Sequence, residues 1–136
     1  IDRVDADQSW VYYHGSIPFN ELHYRYAEAD LGVFASSCEN MPNILLETMA
    51  SGLPIACSNK GPMPEVLGEA GVYFSPEQPE SIAHAMRELI ETPLLRTELA
   101  RASYECAQQY SWQRCADETF GFLASFRPQQ KKAIDV

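Results

Sequence analysis

Short, unbroken apolar runs that recur between helical segments restrict this chain more than any other feature. There are four: WVYYH at residues 10–14, LGVFA at 31–35, PIAC at 54–57 and GVYF at 71–74. A strand with one face in water alternates polar and apolar residues. These runs do not alternate, so they read as strands buried on both faces, the pattern of a parallel sheet. Parallel neighbours need crossovers, and the helical segments between the runs supply them. The expected fold class is α/β, a Rossmann-like parallel sheet of about four strands with flanking helices and a helical C-terminal tail.

The helices can be placed from their punctuation. In SIPFNELHYRYAEAD, Asn20 suits an N-cap, and Leu22, Tyr26 and Ala29 share one face. Residues 43–51 read as the next helix, with Ile44, Leu45, Thr48 and Met49 inward and Gly52 as its stop. GPMPEVLGEA is a loop with a short helix around residues 64–67, which Glu65 is placed to cap. Ile82, Met86, Leu89 and Ile90, then Leu95, Leu99 and Ala102, recur at helical spacing. Pro93 falls at a permitted first-turn position, and Ser111 caps a last helix. The tyrosines and methionines read as core material, and His14 as a structural histidine. A length of 136 residues, 46% of them hydrophobic, suits one domain with a substantial core.

The charge balance narrows the partners. Nineteen acidic and ten basic residues leave a net charge of −9, so nucleic acid, which requires a basic face, is not expected. No apolar run approaches the roughly 18 residues of a membrane span, and the N-terminus lacks the pattern of a signal peptide. Cys38, Cys57, Cys106 and Cys115 form no C-x-x-C pair and, with three histidines, no zinc spacing. Free, mostly buried thiols in a reducing cytoplasm are expected. QQKKA near the end reads as a solvated tail.

Thirteen glutamates include three pairs at the same eight-residue separation: Glu39 with Glu47, Glu69 with Glu77, and Glu80 with Glu88. In a parallel α/β sheet, ligands bind beyond the carboxyl ends of the strands. Glu39 falls just past the second run, and Glu47 lies in the helix that follows. Glu69 belongs to the opposite edge, and Glu80 and Glu88 to a solvent-facing helix. A helix start near Asn43 leaves backbone N–H groups unpaired, and these donors and the helix dipole favour an anion. Pro42 has no N–H, so Asn43 and Ile44 are expected to present theirs outward. Flanking carboxylates only accept hydrogen bonds and therefore suit hydroxyl groups. A phosphate between polyols describes a nucleotide sugar.

ENMPNILLETMASGLPIACS, followed by GPMPEVL, GVYFSPEQPESIAHAM and YSW, resembles retaining GT-B glycosyltransferases of the family four type. Their C-terminal, donor-binding domain carries an E-x7-E motif. Many use the form E-x-x-P-N-x-x-x-E-x-M-A-x-G-x-P, which is matched here from Glu39 to Pro54. WVYYHGSIPFNELHYRYAEADLGVFAS resembles the segment upstream, so the likeness spans residues 10–125. It implies transfer of a sugar, with retention, from a UDP- or GDP-sugar to a saccharide or lipid-linked acceptor in bacterial lipopolysaccharide or surface polysaccharide biosynthesis. Glu39 is then the catalytic residue, facing the donor sugar, and Glu47 binds ribose. The backbone at Pro42, Asn43 and Ile44 holds the diphosphate. Gly15, Ser16 and Ile17 border the base, and Glu65 stands near the sugar. Asn40 occupies a place where many relatives have glycine, which narrows the space beside the sugar. Neither cofactor nor metal is expected, because protein donors stabilise the leaving group.

The family's donor domain begins with one or two further βα units that bring basic residues to the phosphates. Neither these nor the N-terminal acceptor domain are in this chain. Residues 1–136 are therefore expected to be a truncated C-terminal nucleotide-sugar-binding domain, inactive alone. The setting implied is cytoplasmic, with any contact at the inner face of the membrane made through the missing domain. An open sheet edge is expected to promote self-association. Two other readings stay open: a nucleotide-sugar epimerase-like enzyme, and a non-catalytic sugar-nucleotide-binding module.

Overall fold

The middle apolar run folds as expected and organises the rest. In a computed structural model, which describes residues 4, 5, 7 and 9–126, Ile55–Ser58 is a strand with all four residues buried. This strand, β2, lies between β1 (Gly32–Phe34) and β3 (Val72–Phe74), both parallel to it. Its side chains alternate between two cores. Ile55 and Cys57 pack with Leu45 and Met49 of α2 (Asn43–Ala50) and with Met63 and Leu67 of α3 (Met63–Leu67). Ala56 packs with Phe74, with Ala85 and Leu89 of α4 (Pro79–Glu91), and with Leu99 of α5 (Pro93–Ala107). The run is unbroken because each face has its own helical cover. Each fully buried large apolar side chain among these contributes about 1.5–3 kcal/mol.

Close contacts at the amino ends of the strands lock the layers together. A Cβ on Gly32 would sit 2.5 Å from Thr48 Cγ2, so β1 and α2 approach as only glycine allows. Buried Ser103 of α5 donates to the carbonyl of Leu53 at 2.9 Å, just before β2. Gly52 ends α2 at φ +69°, its N–H bonded to the Met49 carbonyl. The last helix, α6 (Trp112–Ser125), starts on the Ser111 hydroxyl, which accepts from the Arg114 N–H at 3.1 Å.

Several expectations need correction. Among the described residues the sheet has three strands, not about four, because residues 10–14 form none. Strand geometry persists only with a bonded neighbour. Among the described residues no strand pairs with them, the N–H groups of Trp10 and Val11 going to the Asp5 carboxylate instead, and Trp10, Tyr12 and Tyr13 are 64%, 65% and 79% exposed. Four more of the tyrosines and methionines, Tyr24, Tyr104, Tyr110 and Met41, are exposed as well, so core material is right for Met49 and Met63 but not for the class. The helix before β1, α1 (Phe19–Ala27), starts after Pro18 with no side-chain cap, so Asn20 lies inside its first turn and caps nothing. Ile90 is exposed and Ala85 takes its inward place. Cys57 and Cys106 are covered, but Cys38 and Cys115 are exposed. Burial pushes the Cys57 thiol up to about 12, so it stays protonated. No helix of the described residues is long and apolar enough to cross a membrane. The QQKKA tail lies outside the described residues.

Candidate functional site

All three strands run the same way, so their carboxyl ends share one edge of the sheet. Beyond β1 the chain loops through residues 35–42 and enters α2. Here Phe34, Glu39, Met41, Pro42, Asn43 and Ile44 line a pocket of about 220 Å3. The structure thus brings together four residues picked out from the sequence: Glu39, Pro42, Asn43 and Ile44. The loop after β2 closes in from the side. A Cβ on Gly61, which has φ +53°, would lie 3.9 Å from the backbone nitrogen of Glu39.

The start of α2 supplies the donors, with one change. No side chain caps it. The Asn43 N–H does not point outward, because it is bonded to the Met41 carbonyl at 2.9 Å. The chain turns back on itself at Pro42 and uses that donor locally. Among the described residues, the N–H groups of Ile44 and Leu45 have no hydrogen-bond partner. The Ile44 side chain, expected inward, is 61% exposed and walls the pocket instead.

Glu47 stands one turn further along α2, outside the residues that line the pocket. It is half-buried, and its Oε2 accepts from the Tyr26 hydroxyl of α1 at 3.1 Å. Burial first, and then the Glu47 carboxylate, hold the Tyr26 hydroxyl above its usual range, with Thr48 acting slightly against them. The Tyr26 hydroxyl therefore keeps its proton and donates it to Glu47.

The other expected residues lie apart. Gly15 makes its turn at φ +66°, with Ser16 exposed and Ile17 half-buried, and none of them lines the pocket. Asn40 is exposed beside it. Glu65 is exposed on the first turn of α3 and caps nothing. His14 is exposed, and Cys38 is exposed and not buried as expected. Glu69, Glu77, Glu80 and Glu88 are exposed. Among the described residues no three His, Cys, Asp or Glu side chains cluster closely enough to hold a metal.

Phe34, Met41 and Tyr26 were not singled out from the sequence. Phe34 ends a strand at the ligand edge, which position alone could have flagged. Tyr26 had a signal too, since a tyrosine on an inward face must find a partner for its hydroxyl. A larger hollow of about 320 Å3 lies on the far side of Met41, against Gln109, Tyr110, Arg114 and Glu118. Its one cation, Arg114, is held by Glu118 at 2.7 Å.

The chain matches the family model described as "Glycosyl transferases group 1" over residues 2–92. It is 34% identical over 113 residues to O-antigen chain mannosyltransferase B of Escherichia coli, covering 82% of this chain and 29% of that protein. It is 29% identical over 103 residues to sulfoquinovosyl transferase SQD2 of Arabidopsis thaliana, covering 72% of this chain and 20% of that protein. The chain spans less than a third of the length of these curated relatives. Among solved structures, sucrose-phosphate synthase from Thermosynechococcus elongatus superposes with a TM-score of 0.77 at 23% identity, covering 85% of this chain and 30% of that one. Anabaena HepE in complex with UDP gives a TM-score of 0.69 at 20% identity, covering 75% of this chain and 29% of that one. Both show a shared fold. The chain belongs to the glycosyl transferases group 1 family, and its three-stranded layer is part of a GT-B fold.

Proposed function

We propose that this chain is the donor-binding part of a glycosyltransferase that moves a sugar, with retention, from a nucleoside diphosphate sugar to a saccharide or lipid-linked acceptor. The observation that carries the reading is the pocket at the end of β1, where Glu39 faces the start of α2 and the unpaired N–H groups of Ile44 and Leu45. Those donors and the helix dipole suit a diphosphate. Glu39 is placed to meet the sugar, and Glu47, one turn along the same helix, to accept from ribose hydroxyls. Gly15 to Ile17 border the base, and Glu65 approaches the sugar from the α3 side. As the donor bond breaks, charge develops on the departing diphosphate, and preorganised backbone donors stabilise it. Likeness to the O-antigen mannosyltransferase supports a role in bacterial surface polysaccharide assembly, lipopolysaccharide included. Likeness to a neighbour solved with UDP supports a nucleotide donor.

An NMR titration of the chain with uridine and guanosine diphosphates tests this. Binding is expected to be weak, about millimolar, or around 4 kcal/mol. Shifts centred on residues 15–17 and 39–47 are the expected result. Shifts confined to α4, α5 and α6 would refute the site. A product assay on the complete protein separates transfer from epimerisation, and from binding without turnover.

A further inference from the structure

Glu47 has a long side chain that several rotamers could carry away from any ligand. Its neighbour in space comes from a different element, 21 residues earlier. The Tyr26–Glu47 hydrogen bond ties the α1 helix to α2. α1 has no fully buried residue, so this contact is not one strut among many in a packed interface. The Tyr26 hydroxyl has one proton and spends it on Oε2. No protein donor among the described residues claims Oε1. A carboxylate oxygen accepts two hydrogen bonds, so Oε1 keeps its full capacity for a ligand. On its other side Thr48, the residue after Glu47, donates its hydroxyl proton to the Ile44 carbonyl at 2.7 Å and cannot donate to Glu47.

We infer that Tyr26 is a positioning residue: it pins one oxygen of Glu47 so that the other is presented, in a single orientation, to the vicinal hydroxyls of the nucleotide's ribose. This rests on the reading of Glu47 as the ribose acceptor. Pinning the side chain before the ligand arrives removes an ordering cost that binding would otherwise carry. The effect is therefore confined to ligands that have the hydroxyls.

The test compares the chain with its Tyr26→Phe and Glu47→Ala variants. Each is titrated by NMR with uridine and guanosine diphosphates and with their 2′,3′-dideoxy counterparts. Tyr26→Phe keeps the ring and removes only the hydroxyl, and dispersed amide spectra check that each variant is folded. Tyr26→Phe is expected to weaken ribonucleotide binding by about three- to tenfold, the range of one lost hydrogen bond, and to leave dideoxynucleotide binding unchanged. If Glu47→Ala weakens ribonucleotide binding and Tyr26→Phe does not, the positioning role is overturned while the ribose reading stands. An equal loss for both nucleotide classes, or a change in thermal midpoint alone, makes Tyr26 a structural tie and also overturns it. If Glu47→Ala leaves ribonucleotide binding intact, the ribose reading fails and the inference fails with it.

Discussion

Glu47 and Glu88 each close an eight-residue glutamate pair, and they differ only in where the fold puts them. Glu47 is half-buried on α2 against Tyr26, whereas Glu88 is exposed on α4. In the complete protein, Glu47→Ala should weaken donor binding by about 1.5–3 kcal/mol, or roughly ten- to a hundredfold. Glu88→Ala should change almost nothing. Calorimetric titration of both variants checks this, and equal effects would mean the motif is misread. A second carboxylate gives a pH signature. Burial pushes the Asp5 carboxyl up, but the N–H groups of Trp10, Val11 and Ser9 and the Ser9 hydroxyl outweigh it and hold it at about 2, against an ordinary 3.8. A folded-state value below the unfolded one stabilises the fold at pH above about 4 and loses that contribution as pH falls toward 2. Urea denaturation of the chain and of Asp5→Asn should therefore diverge above pH 4 and converge near pH 2.

At the scale of elements, what could be read from the sequence was what local pattern controls. β2 was legible because Ile55 and Cys57 face one core and Ala56 the other, so the run is apolar throughout. The end of α2 was legible because Gly52 adopts a positive φ. Residues 10–14 were misjudged because a strand is a relation between two segments, and apolar character in one cannot report the absence of the other. Ile44 was misjudged because helical spacing alone does not show that a first-turn side chain walls an open pocket instead of entering the core. Of the site, the meeting of Glu39 with Asn43 and Ile44 was legible from the sheet rule and from family likeness. The Tyr26–Glu47 bond was not, since nothing local sets the angle at which α1 meets α2. Two glycines test the packing with opposite signs. A Cβ on Gly71 would meet Leu67 and approach the Ile55 carbonyl oxygen to 2.9 Å, so Gly71→Ala should cost about 1–3 kcal/mol. Gly121 lies within α6 with open space around it, so Gly121→Ala should stabilise by about 0.5–1 kcal/mol. Chemical denaturation of the two variants checks both signs.

For the molecule as a whole, charge and uncovered surface act on binding and association. A net charge of −9 repels a diphosphate at long range. That repulsion reaches about 8–10 Å at moderate ionic strength. Nucleoside diphosphate binding should therefore tighten slightly as salt rises from very low levels, and a steady weakening would show that cationic contacts dominate instead. Among the described residues β1 has no partner on its outer edge, and α6 exposes Trp112, Phe120, Phe122 and Leu123. Open edges and apolar faces promote pairing between chains. Sedimentation equilibrium should show concentration-dependent self-association, and a monomer at every concentration would count against it. Three close approaches tie the layers of the fold: Gly32 on Thr48, Gly71 on Leu67 and Ser103 on Leu53. All three lie at the amino ends of the strands, and none of these residues lines the pocket. Architecture and recognition thus rest largely on different residues of this fold. With buried Pro42 and left-handed Gly61 kept, the exposed residues of the loops after β1 and β2 can be exchanged with those of a relative without solving the packing problem again. Such a scaffold can acquire new donors by changing its rim while its foundations stay fixed.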